Sequence, residues 1–447
     1  CFAYLAPAGI PIEWIYTWYG GVRTKAQLRK ALAILTRYSL IQCDREKVYV
    51  HAVIQRIVRH LPPQDATQGQ VKAPDYPAAL IKRLFASLQA YTGPAKDAHK
   101  NAPQWIASLS HGRQLYKELK KVDPQLAYQL ALHLFEGNGI AHLYEESKKW
   151  ALESLQVIKA HPDTFSDEHK AYATSMVGTS FARLLDYEQA LKYKQEVVDV
   201  RRKIFGKDHL EIAYAQRSVG ELHSYLGQQK KARQQLKAAL EMCDRLLEKS
   251  PKDQGVLRLK ARLLNGMGVS FDKEHNYGAA LPYKRNSLAV NQDLYKDALD
   301  HPAVGHSLHG LGETLIRTGK REDLAAGLDY CRKALALREQ IDKKRGKENE
   351  HTANSRNWVG IALTKQGQAE GDSKKVEAGL QHSQQALAAF DKLYADQQDH
   401  PYVTSTLENI IQSLKHLART AESGAYQQRL EMLQKRFGSG SVAISSM

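Results

Sequence analysis

The sequence predicts an all-α protein built as a helical solenoid, and three observations predict it. First, a short phrase recurs: Asp167-Glu168-His169, Lys207-Asp208-His209, Leu299-Asp300-His301-Pro302, Asn349-Glu350-His351 and Gln398-Asp399-His400-Pro401. Second, a small or apolar residue follows each phrase after nine to eleven positions: Gly178, Gly220, Gly312, Gly360 and Ile411. A further copy lacks the His, Pro251-Lys252-Asp253, and leads to Gly268. The glycines lie 42, 48, 44 and 48 residues apart. A near-fixed period in this range marks stacked helical units. Third, one copy read in full cannot stand alone. From Tyr172 to Leu185, apolar or small residues fall at helical spacing, Asp186-Tyr187 breaks the run, and a second helix over 188–205 puts Ala190, Leu191, Val197, Val198 and Ile204 on one side. Such a pair buries one face between its helices and leaves a second stripe bare, which only the next copy covers. A glycine at each crossing lets the two helices come close where a side chain would clash.

The set resembles the tetratricopeptide repeat (TPR), in the longer-helix form of kinesin light chains and related bacterial proteins. With the glycine as eighth consensus position, the small twentieth residue is Ala190, Ala232 and Ala280, and the twenty-seventh is Ala239, Ala334 and Ala386. Position seven is Val177, Val219, Met267, Leu311 and Val359. The resemblance covers roughly residues 165–435 and implies a right-handed α-solenoid. The fourth and fifth copies depart from it, and extra residues are expected between their helices, at 320–326 and 368–378.

At 447 residues the chain exceeds one ordinary core, as a solenoid or several domains would. Its four cysteines, Cys1, Cys43, Cys243 and Cys331, are scattered without CxxC spacing, which predicts reduced thiols in a cytoplasmic protein rather than a disulfide framework or zinc cluster. No run of eighteen apolar residues suggests a membrane span. The net charge of +16 comes from 64 basic residues interleaved with 48 acidic ones and no basic block, so it reads as solubility with attraction to an acidic partner open. The opening Cys1-Phe2-Ala3-Tyr4-Leu5 looks like packed structure rather than a lipoprotein tether, and a fragment of a longer protein is expected.

Residues 1–60 carry a different pattern. Ile10-Pro11-Ile12 opens a short helix, Thr24 caps a second over 25–38, strand-like runs at 39–43 and 47–51 flank the turn Asp44-Arg45-Glu46, and a last helix spans 52–60. Helices around a two-stranded wing make a winged-helix module. The phrases Ala3-Tyr4-Leu5-Ala6-Pro7, Leu35-Thr36-Arg37-Tyr38-Ser39-Leu40-Ile41 and Val50-His51-Ala52-Val53-Ile54-Gln55 resemble the winged helix that follows the nucleotide-binding core of STAND (NB-ARC and NACHT) ATPases. In that resemblance His51 and Gln55 belong to the signalling phrase just before a TPR array. The nucleotide-binding half is missing: no Gly-Lys pair sits in a GxxxxGK[ST] loop, so no cofactor is expected in this chain, and ATP or ADP enters only with an upstream nucleotide-binding domain. Residues 61–77 read as a polar, proline-rich linker, 78–160 as degenerate helical hairpins (78–91, 102–120, 125–135, 144–160), 161–437 as the repeats and 438–447 as a disordered tail. Gly137-Asn138-Gly139 reads as a turn.

No catalytic or metal signature is present, and the repeated histidines are dispersed one per copy, so capping is expected of them and no enzyme. The TPR resemblance implies a concave groove lined by each first helix. Position two gives Tyr172, Tyr214, Arg262, His306 and Asn354; position five gives Ser175, Arg217, Asn265, His309, Asn357 and Glu408; position six includes Trp358 and Asn409. Tyr214 and Trp358 would anchor a protein or peptide ligand, Asn265, Asn357 and Asn409 would bond its backbone, Arg217 and Arg262 would meet acidic groups, and His309 lines the same binding groove. The expected function is a ligand-sensing, protein-binding module, the C-terminal sensor part of a STAND-type signalling ATPase. The alternative is a DNA-binding regulator that uses Lys25, Arg29, Lys30 and Arg37 on the 25–38 helix, although nucleic acid is the weaker partner because base readout needs more than a basic face.

Overall fold

Alternating burial organises the first described residues. In β3 (Lys47–Val50), Val48 and Val50 are buried while Lys47 and Tyr49 face out. β2 (Ile41–Cys43) pairs antiparallel with it, Ile41 opposite Val50 and Cys43 opposite Val48. The other edge of β3 is taken by β1 (Ile10–Pro11), Ile10 opposite Val48. The sheet therefore has three strands in the order β1-β3-β2, not the two of the expected wing, because extended Ile10-Pro11 supplies a partner before the helix begins. Asp44 shapes the tight turn: one carboxylate oxygen accepts from the backbone N–H groups of Glu46 (2.7 Å) and Lys47 (2.6 Å), which holds its pKa down.

The computed structural model describes residues 5, 9–19, 25–37, 41–44, 46–50, 76–95, 100–298, 300–346, 348–394 and 401–437. They belong to two units, residues 1–206 and 207–447. The expected helix at 52–60, residues 61–75 of the expected linker, the tail, His51, Gln55 and His400 lie outside the described residues.

In the first unit, α1 (Ile12–Tyr19) and α2 (Lys25–Arg37) accompany the sheet. Then come α3 (Tyr76–Thr92), α4 (Ala102–Val122), α5 (Pro124–Ile140), α6 (Tyr144–Ala160), α7 (Asp167–Arg183) and α8 (Tyr187–Phe205). Trp14, fully buried, shares one core with Leu84, Phe85 and Leu88 of α3. Its indole N–H donates to Ser87 Oγ (3.3 Å), and the buried His111 ring of α4 packs 5.2 Å from it. Burial pushes the His111 imidazole down to about 4. Gly137 and Asn138 lie inside α5 rather than in a turn: a Cβ on Gly137 would stand 2.7 Å from Leu109, and Asn138 donates to the Leu134 carbonyl (2.6 Å). The tight α4–α5 crossing holds the helix through its glycines.

The second unit holds α9 (Leu210–Tyr225), α10 (Gln229–Lys249), α11 (Gln254–Asp272), α12 (Tyr277–Leu294), α13 (Pro302–Thr318), α14 (Arg321–Arg345), α15 (Glu350–Glu370), α16 (Ser373–Leu393), α17 (Pro401–His416) and α18 (Thr420–Phe437). Each helix packs mainly on its neighbours in sequence, and α9, α11, α13, α15 and α17 also touch one another in succession. These first helices therefore form one layer. Several starts are capped by the recurring phrase. His209 and His301 accept through Nδ1 from the N–H groups of Glu211 and Ala303 (both 3.2 Å), and Asn349 Oδ1 accepts from His351 (2.8 Å). The extra residues of the fourth and fifth copies lengthen helices instead of loops: α13 and α14 are separated by Gly319 and Lys320, α15 and α16 by Gly371 and Asp372.

Within hairpins, one left-handed residue recurs in the turn: His142, Leu185, Gly227, His275, Gly319, Gly371 and Ala418, with φ between 56° and 74°. The α5–α6 turn shares this geometry, and His142 and His275 each reach a tyrosine hydroxyl two residues on, at 2.9 Å. By its turn, that early hairpin is built like the regular repeats.

Candidate functional site: the first-helix face of the second unit

Stacked first helices bring equivalent positions into rows. Six residues before the crossing glycine stand Tyr214, Arg262, His306 and Asn354, and three before it stand Arg217, Asn265, His309 and Asn357. The structure joins the two rows at two successive rungs. Asn265 Nδ2 lies 3.4 Å from His306 Nε2 on the next first helix. His309 repeats the step: Asn354 Nδ2 stands 3.2 Å from its Nε2, and Ser355 Oγ stands 3.1 Å from its Nδ1. Burial, with Arg338, His306, His351 and Lys284 adding to it, keeps the His309 ring well below its ordinary pKa. A neutral ring fits both bonds, Nε2 accepting from Asn354 and Nδ1–H donating to Ser355.

Burial sorts the expected ligand-facing residues. Arg262 is exposed, and Tyr214, Arg217, Asn265 and Trp358 are half-buried. His309, Asn357 and Asn409 are buried, as is Asn354. Asn409 donates to Ser383 Oγ (2.6 Å). Neither polar atom of the Asn357 amide has a hydrogen-bond partner among the described residues. Arg217 pairs with Glu221 one turn on. The Trp358 ring lies 5.2 Å from the Arg317 guanidinium of the preceding first helix, a cation–π pairing. Arg317 in turn is held by Glu313 at 2.8 Å.

Beneath this face runs a buried polar network that sequence reasoning missed. Lys284 of α12 sends its amine past Gly268 to Asp272 (3.4 Å), which also accepts from Thr314 of α13 (2.9 Å). Burial raises the Asp272 pKa against the opposing pull of Lys284. Arg338 of α14 donates to Ser355 Oγ (2.6 Å) and to the His351 carbonyl (2.7 Å), and burial lowers its pKa to about 10. Asp342 accepts from Thr352 Oγ1 at 2.6 Å. One signal was available: Lys194 and Lys284 each stand four residues after the small Ala190 and Ala280. A long cation repeated at a crossing is not placed there for solubility.

Among the described residues no group of His, Cys, Asp or Glu is arranged to hold a metal, and no helix is long and apolar enough to cross a membrane. Cys243 and Cys331 are buried free thiols, and Cys43 is exposed.

Residues 169–245 match the tetratricopeptide-repeat family model. No curated protein matches the chain by sequence. Among solved structures, the apo form of RapI is similar at 13% identity and a TM-score of 0.52, over 96% of this chain and 99% of RapI. Aspartyl phosphate phosphatase F from Bacillus subtilis is similar at 14% identity and a TM-score of 0.50, covering 88% of this chain and 90% of that one. A STAND protein with a tetratricopeptide repeat sensor from Pyrococcus horikoshii aligns at 15% identity and a TM-score of 0.46, over 98% of this chain and 64% of its own length. Identities this low speak to the fold: an all-α TPR-type array.

Proposed function

We propose that the chain is a sensor-type binding module that holds a protein or peptide ligand on the first-helix face of its second unit and catalyses no reaction. The observation that carries this reading is the row of half-buried groups across successive first helices, Tyr214, Arg217, Asn265 and Trp358 with exposed Arg262 beside them. Half-burial orders these side chains while leaving surface to give, which is how anchors at an interface behave. In the finer form of the proposal the module is the cytoplasmic C-terminal sensor of a STAND-type ATPase. Its N-terminal helices and sheet act as the winged helix, and nucleotide is bound by a domain upstream. Support for that form comes from the sequence phrases around Leu5, Leu35 and His51. Relay to a nucleotide switch requires the ligand to prefer one of two arrangements; tight binding without preference shifts nothing.

The test is capture of partners by the purified chain, compared with Arg262→Ala, Asn265→Ala and Trp358→Ala. Loss of capture is expected in each, and unchanged capture in all three would sink the binding face. An ATPase assay on the chain should show background only, and clear turnover would overturn the non-enzymatic reading.

A further inference from the structure

One charged surface takes no part in the binding face of the second unit. Helix α2 of the first unit, Lys25-Ala26-Gln27-Leu28-Arg29-Lys30-Ala31-Leu32-Ala33-Ile34-Leu35-Thr36-Arg37, holds four basic residues and no acidic one. Its inner side is fixed in place. Leu28 and Leu32 are buried in the core, and Leu35 packs against it. Thr36 Oγ1 donates to the Leu32 carbonyl (2.9 Å) and lies 3.5 Å from Cys43 Sγ of β2. Arg29, Lys30, Ala33, Ile34 and Arg37 are exposed. At about 100° per residue these five share one arc of about 140°, turned away from the leucines. Among the described residues none of Arg29, Lys30 and Arg37 has a carboxylate within ion-pair distance. Ile34, 56% exposed, stands between them, one turn after Lys30 and one turn before Arg37. An exposed isoleucine is ordinary by itself. Its place among unpaired cations on a rigidly held helix is what selects a partner.

We propose that α2 enters the major groove of double-stranded DNA, with Arg29, Lys30 and Arg37 on phosphates and Ala33 and Ile34 against the edges of thymine-containing base pairs. This goes beyond the ligand-binding reading and does not depend on it. A rise of about 1.5 Å per residue sets Arg29 and Arg37 about 12 Å apart along the helix, comparable to the about 12 Å between the walls of a major groove. Cations alone would give attachment that falls with salt and ignores sequence. The exposed arc adds the second element. Ala33 is small enough for close approach, and Ile34 offers an apolar contact to the C5-methyl group of thymine, which the major groove displays. The tip of the β2–β3 hairpin carries Asp44, Arg45 and Glu46, so phosphate contact falls to α2 and not to the hairpin. An RNA duplex fits less well, because its major groove is too deep and narrow for a helix. An anionic membrane fits less well too: the leucines of α2 are spent in the core, which leaves one large apolar side chain to insert.

Fluorescence anisotropy on the whole chain tests this across a salt series. The labelled probes are a thymine-rich DNA duplex, a DNA duplex of G·C pairs only, an RNA duplex and a poly-glutamate peptide; anionic phospholipid vesicles are tested by co-sedimentation. The thymine-rich duplex should bind about fivefold or more tighter than the G·C duplex, the low end of what one base-pair change costs. The triple variant Arg29→Gln/Lys30→Gln/Arg37→Gln should lose about tenfold or more, and its log–log salt slope should be shallower by about 2.7, for three phosphates released. Ile34→Ser should keep the parent's salt slope and lose the preference for thymine. Lys237→Gln on α10, exposed and in the other unit, is the control and should bind as the parent does. All the altered side chains are exposed, and unfolding midpoints confirm that each variant is folded. No binding of either DNA duplex at low salt, equal affinity for the two, or equal affinity for the RNA duplex would overturn the proposal. So would an unaffected triple variant, or tighter binding of the poly-glutamate peptide or the vesicles than of DNA. Partner capture that depends on Trp358 is read separately, so either reading can fail while the other stands.

Discussion

Two kinds of helix crossing fill the same repeat position differently. At Gly178 and Gly268 the partner helix contributes a lysine, Lys194 or Lys284, whose stem fills the space a Cβ would need. At Gly312 and Gly360 the partner contributes a second glycine, Gly327 or Gly379, and backbone meets backbone: a Cβ on Gly312 would stand 3.0 Å from the Gly327 carbonyl oxygen, and one on Gly360 2.8 Å from that of Gly379. Gly220 is intermediate, closed by Leu236. One recurring glycine thus serves two purposes. In one region it admits a long cation to the first-helix face, and in the other it admits the neighbouring main chain. The two lysines also differ. Lys194 donates to the Ser175 carbonyl and hydroxyl and the Thr179 hydroxyl, at 2.7–2.8 Å. Lys284 meets the buried carboxylate of Asp272.

That contrast orders the expected effects of substitution. Lys284→Met should be the most damaging, about 3–5 kcal/mol by urea unfolding, because it strands the Asp272 carboxylate in a low-dielectric interior. Adding Asp272→Asn should recover more than half of the loss; no recovery would mean the cost lies in packing. Gly360→Ala comes next, at about 3 kcal/mol, since a carbonyl oxygen cannot swing aside. Gly268→Ala should cost less, because the obstructing atoms belong to a flexible stem, and equal costs would erase the distinction between the crossings.

Acid should weaken the lysine-threaded region next. His306 faces Arg338, Lys284, His351 and Arg262, and burial with these charges lowers its pKa to about 3. The unfolded chain takes up a proton near pH 6.5 that the folded ring refuses. Stability therefore falls as pH drops through that window, by about 2 kcal/mol between pH 7 and pH 5 for this ring. His306→Asn should flatten the pH profile of unfolding. The smallest effect is expected of Lys194→Met, about 1 kcal/mol, since the Ser175 and Thr179 oxygens it leaves behind carry no charge. A loss matching that of Lys284→Met would show that the carboxylate is not what separates the two crossings.

Much of the helical framework was legible because period is a local property. Helix α6 begins at Tyr144 and ends at Ala160, where apolar spacing placed it, and the Asp-His phrases mark starts because a polar side chain can bond the free N–H groups of a first turn. The misreadings share one cause. Gly137-Asn138-Gly139 has turn chemistry but is held helical by Leu109 across the crossing. Ile10-Pro11 has the chemistry of a helix start and instead pairs with β3, a partner far along the chain. On the candidate face, His309 and Asn357 carry the same polar signal as Asn265, yet they are buried and Asn265 is half-exposed. Side-chain type at a repeat position does not state how closely the next repeat approaches.

The sequence by itself determined the repeat, its helices, their caps and the glycines at the crossings, because each depends on residues within a turn or two of one another. Only the tertiary structure decided which glycine admits a lysine and which a backbone, and which polar side chains are spent inside. Those outcomes depend on how closely neighbouring helices approach, within a hairpin and from one repeat to the next, set by the summed packing of every side chain in the interface.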